Sequence, residues 1–192
     1  MKLTPEQITE TIRASAFNKQ GYTVNVQLKR LGYNLASFAS DISDNFPLVT
    51  SENLHLIVPL FQRSCDNWSE SMQISFVENI IKGHHTEIFL YNTDVRESQY
   101  INNKVLDGQH RLMAMLKFMD DKLPIFGGSL ASELEDMPII WRGLSKIAFT
   151  VLNFKDESEV IKFYIEMNEN ITHSKQDIIK AKTILQDIQN KA

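Results

Sequence analysis

"NNKVLDGQHRLMAMLKF", Asn102 to Phe118, changes character at Asp107-Gly108. Before the break, Asn103 to Leu106 reads as a short strand. Beyond it, Leu112, Met115, Leu116 and Met119 recur at helical spacing and give a helix one apolar side. Met113, Met115 and Met119 keep the period of the neighbouring leucines and are read as core filler. The helix opens on Gln109, His110 and Arg111, whose polar groups must be satisfied by water, by one another or by a ligand.

The first turn of a helix carries backbone N–H groups that no helical carbonyl accepts, together with a partial positive charge, so it attracts anions. Gly108 stands at that entrance, where the lack of a side chain lets a phosphate approach the backbone. Arg111 lies in the first turn, where a cation opposes the helix dipole unless an anion neutralises both. Gln109 and His110 add donors, and Asp107 supplies a carboxylate able to hold a divalent cation or orient water. These residues read as a phosphate site beside an acid. The same spacing equally permits a structural reading, in which Asp107 caps the helix, Gly108 makes the turn and Arg111 pairs with Asp107.

Working outward, Thr4-Pro5-Glu6-Gln7 starts a helix expected to reach about Phe17, through a capping threonine, a proline at the first helical position and a glutamine three residues after the cap. Tyr22 to Leu28 alternates as a strand does, Leu35 to Ile42 reads as a short helix, and the apolar run Leu54 to Pro59 reads as a buried strand. Ser69 caps a helix with Met72, Phe76, Val77, Ile80 and Ile81 on one face, and Gly83 is placed to terminate it. Thr86 to Tyr91 and Lys146 to Phe154 read as strands, and Asp156 opens a helix bearing Val160, Phe163, Tyr164 and Met167. Ser174 with Asp177 opens the last helix, with Ile178, Ala181, Leu185 and Ile188. Phe126 to Pro138 reads as a loosely structured insertion. Interleaved helices and strands in 192 residues predict one compact α+β domain, a mixed sheet packed with helices.

Composition bounds the function classes. A net charge of -4 and a pI near 5.7 do not describe a protein coated for nucleic acid, though they leave a local basic groove open. A single cysteine, Cys65, excludes an internal disulfide and an all-cysteine metal cluster, and fits a reducing, cytoplasmic setting. Neither a signal peptide nor a membrane span is found in the sequence.

"VLDGQHRLMA" resembles the DGQQR or DGQHR signature of the DUF262 family, the N-terminal module of certain modification-dependent restriction systems. The same residues are similar to the GxxRxxA box of ParB partition proteins and the GCHR box of sulfiredoxin, which share one superfamily. "VPLFQRSCDNW", Val58 to Trp68, resembles the family's pattern of a proline, an aromatic, Gln-Arg and a later tryptophan. "FYIEMNENITHSKQDI", Phe163 to Ile178, resembles its later segment around an asparagine. The resemblance covers roughly Leu54 to Lys182.

It implies a ParB/sulfiredoxin-like nucleotide-binding domain over 54–192; residues 1–53, outside the resemblance, are expected to form a mostly helical N-terminal extension. It further implies that ATP, GTP or CTP is the ligand, with Mg²⁺ as the cofactor and slow hydrolysis of the terminal phosphate. Carried over, Gly108, Gln109, His110 and Arg111 cradle phosphates, Asp107 serves the metal or the attacking water, Gln62 and Arg63 reach in from the facing loop, and Asn168 borders the pocket. Asp107, His110 and Arg111 are the expected catalytic residues. The sulfiredoxin nucleophile falls at Gln109, which excludes that reductase chemistry. The 192 residues contain no HNH nuclease motif, so any DNA cutting by them is expected to use this module alone. The alternative expectations are a DNA- or partner-binding regulator without turnover and a metal-dependent DNA-nicking enzyme, working in phage or plasmid conflict with host defence. DNA or a defence-system protein is then the partner, and a homo-oligomer through the first fifty residues is an open option. His173, like Asn168, borders the last loop beside the pocket, with a turn-forming asparagine as the ordinary alternative. His84-His85 and Cys65 are read as incidental, and Lys175, Lys180 and Lys182 as the solvated face of the last helix.

Overall fold

The computed structural model describes residues 3–14, 21–39, 48–62, 67–93, 103–141, 146–168 and 175–190. Its centre is a four-stranded mixed sheet of β1 (Gly21–Val26), β2 (His85–Asn92), β3 (Lys104–Asp107) and β4 (Lys146–Asn153), in the order β1-β4-β2-β3. β2 and β4 lie parallel in unbroken register from His85 opposite Lys146 to Asn92 opposite Asn153, while β1 and β3 run antiparallel to β4 and β2. Seven α-helices surround the sheet among the described residues: α1 (Pro5–Ala14), α2 (Leu31–Phe38), α3 (Glu70–Ile81), α4 (Gln109–Met119), α5 (Pro138–Trp141), α6 (Glu157–Asn168) and α7 (Lys175–Gln189). The expected mixed α and β class is therefore the observed one.

Successive side chains of a strand point to opposite faces, so the sheet divides two cores. On one face Ile88, Leu90, Val105, Ile147, Phe149 and Val151 pack with Val77 and Ile80 of α3 and Leu112, Met115 and Leu116 of α4. On the other, Tyr91, Leu106 and Phe154 pack with Val160, Phe163 and Tyr164 of α6, Ile178 and Ala181 of α7, and Phe61. The segment before residue 53 is built into this arrangement: β1 closes one edge of the sheet, and Leu31, Leu35 and Ala36 of α2 belong to the first core. α1 stands exposed, its start fixed by Thr4 and Gln7, each accepting the other's backbone N–H through its side chain.

Local signals placed the ends of the elements. Ser69 Oγ accepts the Met72 amide at 3.3 Å and caps α3; Gly83 follows that helix at φ 101°; Asp156 Oδ1 accepts the Glu159 amide at 3.0 Å and caps α6. Four expectations need correction. Leu54 to Pro59 is not a strand: residues Leu54–Ile57 form a 3-10 turn in which Leu54 and Ile57 are buried and Leu56 is 47% exposed. A continuous apolar run this short carries no period, and one tight turn buries residues three apart as well as a strand would. On α3, Met72 is exposed and Gln73 takes the inward position, because its Nε2 donates to the Trp68 carbonyl at 3.0 Å. α2 begins at Leu31, earlier than expected, and ends at Phe38. The Phe126 to Pro138 stretch is not loose: Ile125 bridges to Ser129, a turn spans Ser132–Leu134, and Ala131 and Leu134 enter the first core.

Candidate functional site

The Asp107-Gly108 break is a change of backbone region. β3 ends at Asp107, and Gly108 then takes φ 100° and ψ 12° as the residue before α4. Only glycine adopts this left-handed conformation at no steric cost. A β-carbon placed there would meet Ile88 Cδ1 at 2.6 Å and would lie 3.4 Å and 3.5 Å from Nη2 and Nε of Arg111. The Arg111 guanidinium is thus laid over the turn from which the α4 amides start. Unlike α3, with Glu70, and α6, with Glu157 and Glu159, α4 has no acidic residue in its first turn, and Gly108 brings no side chain to cap it.

Arg111 Nη2 donates to Asp107 Oδ2, an ion pair across four residues whose side chains remain 27% and 35% exposed. Of the structural reading, the Gly108 turn and the Asp107–Arg111 pair are observed, while the residue at the cap position of α4 is Gly108 and not Asp107; the pair stays open to solvent. His110 is buried, and its ring stacks on Trp68 with centroids 5.8 Å apart and planes 23° from parallel; Trp68 in turn packs edge-on against Phe76 at 5.4 Å. Since Trp68 directly precedes the cap of α3, this stack brings the N-terminal ends of α3 and α4 together. Gln109 is buried as well.

Gln62 does reach toward the turn, through the strand that leads into it. The β2–β3 register skips Leu106, with Phe89 opposite Asp107 and Leu90 opposite Val105, a bulge just before the break. The buried Gln62 amide nitrogen donates to the carbonyls of Val105 and of Leu106, the latter at 2.9 Å, and satisfies both acceptors at the outer edge of the sheet. The Gln62 carbonyl accepts from Lys180 Nζ of α7 at 3.1 Å, so one lysine read from sequence as merely solvated ties the last helix to this loop. Next to it, Phe61 packs on Tyr91 and Tyr164 at 6.5 Å and 5.2 Å. Burial raises the Tyr91 phenol above its ordinary pKa, and the Glu157 carboxylate acts in the same direction. Asn168 is buried at the end of α6, where its Nδ2 donates to the Tyr164 carbonyl at 2.7 Å. Arg63, Cys65 and His173 lie outside the described residues.

Gln62→Leu keeps the shape of the side chain and removes both donated hydrogen bonds, which leaves two buried carbonyls without that partner. It should lower stability by about 1–3 kcal/mol, or roughly 2–4 °C in melting temperature for each kcal/mol at this chain length. A variant that melts with the wild type would show that β3 does not depend on this clamp.

The sequence model of one family, the N-terminal domain of the GmrSD restriction endonuclease, matches residues 45–189, about three quarters of the chain. The chain belongs to this family. The GmrSD N-terminal domain is the DUF262-type module, so the resemblance carried by "VLDGQHRLMA" holds, and the match begins earlier and ends later than those motifs alone marked out. Searches of curated proteins and of solved structures returned no match. In this GmrSD-type domain, Trp68 and Lys180 are the residues whose roles the sequence did not assign: the tryptophan's place beside His110, and the lysine's on Gln62, follow from chain segments brought together only by folding. Among the described residues no helix is long and apolar enough to cross a membrane, and no three His, Cys, Asp or Glu side chains gather as a metal cluster.

Proposed function

We propose that the turn at Asp107–Arg111 binds the phosphates of a nucleoside triphosphate and slowly hydrolyses the terminal one, within a ParB/sulfiredoxin-like domain serving a restriction-type defence. One observation carries this reading: the Arg111 guanidinium lies within van der Waals reach of the vacant β-position of Gly108, at the mouth of an α4 first turn that contains no acid. A phosphate entering there meets helix amides, a positive dipole end and a cation together.

Asp107 holds Arg111 in an ion pair. An incoming polyphosphate competes for the guanidinium, and Arg111 exchanges one anion for another at little cost in desolvation because the pair is partly exposed. That exchange frees the Asp107 carboxylate to orient a water or to take one position on a metal ion. Gln109 and His110 complete the first turn, with Trp68 fixing the plane of the imidazole. The residues fit Mg²⁺ only as an ion carried in by the nucleotide, since Asp107 is a single carboxylate and Mg²⁺ in phosphate sites commonly keeps water and phosphate oxygens as its other ligands. Bound there, the ion would neutralise phosphate charge; positioning and electrostatic stabilisation by Arg111 and the α4 amides supply the rest.

Thermal shifts with ATP, GTP, CTP and UTP, each with and without Mg²⁺, test the reading. At a ligand concentration about a hundred times Kd, stabilisation of about 2.7 kcal/mol is expected. A protein stabilised by none of the four has no such site.

The family is the N-terminal domain of a restriction endonuclease, which extends the proposal to DNA, foreign phage or plasmid DNA in the cytoplasm, as the wider target. If nucleotide acts only as a switch, gel shifts that weaken with salt, without phosphate release, will show it. Conversion of supercoiled plasmid by the protein with Mg²⁺ or Mn²⁺ would instead identify a nicking enzyme.

A further inference from the structure

β1 runs into a 3-10 turn, Leu28–Arg30, and then directly into α2. Leu28, Leu31 and Leu35 on the inner side of this segment are 1%, 0% and 1% exposed, so its backbone is held firmly against the first core. The opposite stripe, Gln27, Arg30, Tyr33 and Asn34, recurs at intervals of three and four and, with Lys29, lines an open cleft of about 710 Å³. Tyr33 is 61% exposed, although Leu31 and Gly32 just before it are buried. Among the described residues the lining therefore holds two cations, one phenol ring, two carboxamides and no carboxylate.

Lys29 is already engaged, pairing with Glu135 at 3.1 Å and lying 5.7 Å over the Trp141 ring. Arg30 takes part in none of the ion pairs among the described residues, and it precedes Tyr33 by three positions in the sequence. Each group suits one part of a nucleotide unit in a strand: the ring face stacks on a base, the carboxamides of Gln27 and Asn34 meet base edges, and the guanidinium meets the phosphate. A paired base in a duplex has both faces covered by its neighbours, so only an unpaired base can lie on Tyr33.

We infer that this cleft binds single-stranded nucleic acid, with an unpaired base on Tyr33 and its phosphate on Arg30. The inference rests on the DNA part of the proposed function and is independent of the triphosphate turn. Residues 27–34 precede the first residue matched by the family, so the cleft lies outside the family-defining segment. With a net charge of -4 on the chain, binding through one such patch is modest, and a single phosphate contact gives it a shallow salt dependence.

The test is fluorescence anisotropy of a labelled oligothymidylate and of a duplex of equal length, each at low and at physiological salt. Wild-type protein should prefer the single strand. Tyr33→Ala should weaken binding by about tenfold or more, while Tyr33→Phe, which keeps the ring face, should bind as the wild type does. Arg30→Ala should make the log–log salt dependence shallower by about 0.7, the share of one phosphate contact in a single strand. Triphosphate-induced thermal stabilisation measured on the same Tyr33 and Arg30 variants should be unchanged, which separates failure of the cleft from failure of the turn and reports correct folding. The inference is overturned if wild-type protein does not bind the oligothymidylate at low salt, if it binds duplex equally well, or if Tyr33→Ala binds like the wild type.

Discussion

Arg111→Ala protein is expected to melt with the wild type in the absence of ligand and to lose the whole of the stabilisation that a nucleoside triphosphate confers. Two small opposing effects account for the first half. The Asp107–Arg111 pair is about a third exposed, and exposed pairs contribute roughly 0–1 kcal/mol. Removing a cation from the first turn of α4 relieves an unfavourable interaction with the helix dipole of about 0.3–1 kcal/mol. The second half follows from position, because no substitution of the backbone amides can replace the charge laid over Gly108. The expected loss is the full ligand term, about 2.7 kcal/mol at a hundredfold excess over Kd. Phosphate release should fall by about 10³-fold or more if Arg111 stabilises the charge developing on the transferred group, as arginines do elsewhere in phosphoryl transfer. Asp107→Ala should reduce release as well while leaving binding detectable. An Arg111→Ala protein that still responds fully to triphosphate would remove the turn from consideration, whatever else the domain does.

Gly108→Val should be the most destabilising change at the site. A β-branched residue at φ 100° is strained by about 1–2 kcal/mol from the backbone alone. Its β-carbon would also sit 2.6 Å from Ile88 Cδ1, the end of a fully buried side chain that would have to shift within the core. Overpacking of this kind adds about 1–3 kcal/mol. The sum, about 2–5 kcal/mol, corresponds to a fall in melting temperature on the order of 5–15 °C for a chain of this length. Gly108→Ala shares the strain with less bulk and is the better variant for separating fold from binding: partial loss of stability with complete loss of triphosphate response would place the phosphate against this backbone. A valine variant as stable as the wild type would mean that the turn rearranges freely and cannot serve as a preformed cradle.

Much of the site's immediate geometry was legible because it is local. A strand that stops at Asp107, a glycine turn at the helix entrance and an arginine one turn into the helix are consequences of neighbouring residues, and the Asp107–Arg111 pairing follows from a spacing of four. The caps at Thr4, Ser69 and Asp156 and the terminator at Gly83 were readable for the same reason. Gln62 was read as a ligand contact from the facing loop; the partners it has in the fold, the carbonyls of Val105 and Leu106, take their places only once β3 has paired with β2. The stacking of Trp68 on His110 and the grip of Lys180 on the Gln62 carbonyl join segments far apart in the chain and leave no periodic signature in either.

By itself the sequence determined the ends of most elements, the mixed class and the family-bearing turn, since capping, left-handed glycines and apolar periodicity act over a few residues. Folding alone decided that Leu54–Ile57 turns instead of extending, that Gly21–Val26 closes the sheet beside a strand over a hundred residues away, and that the α3 and α4 N-termini meet. The reason is that burial, not backbone preference, selects among the conformations a short apolar run can adopt, and burial is known only when the distant partners have been supplied.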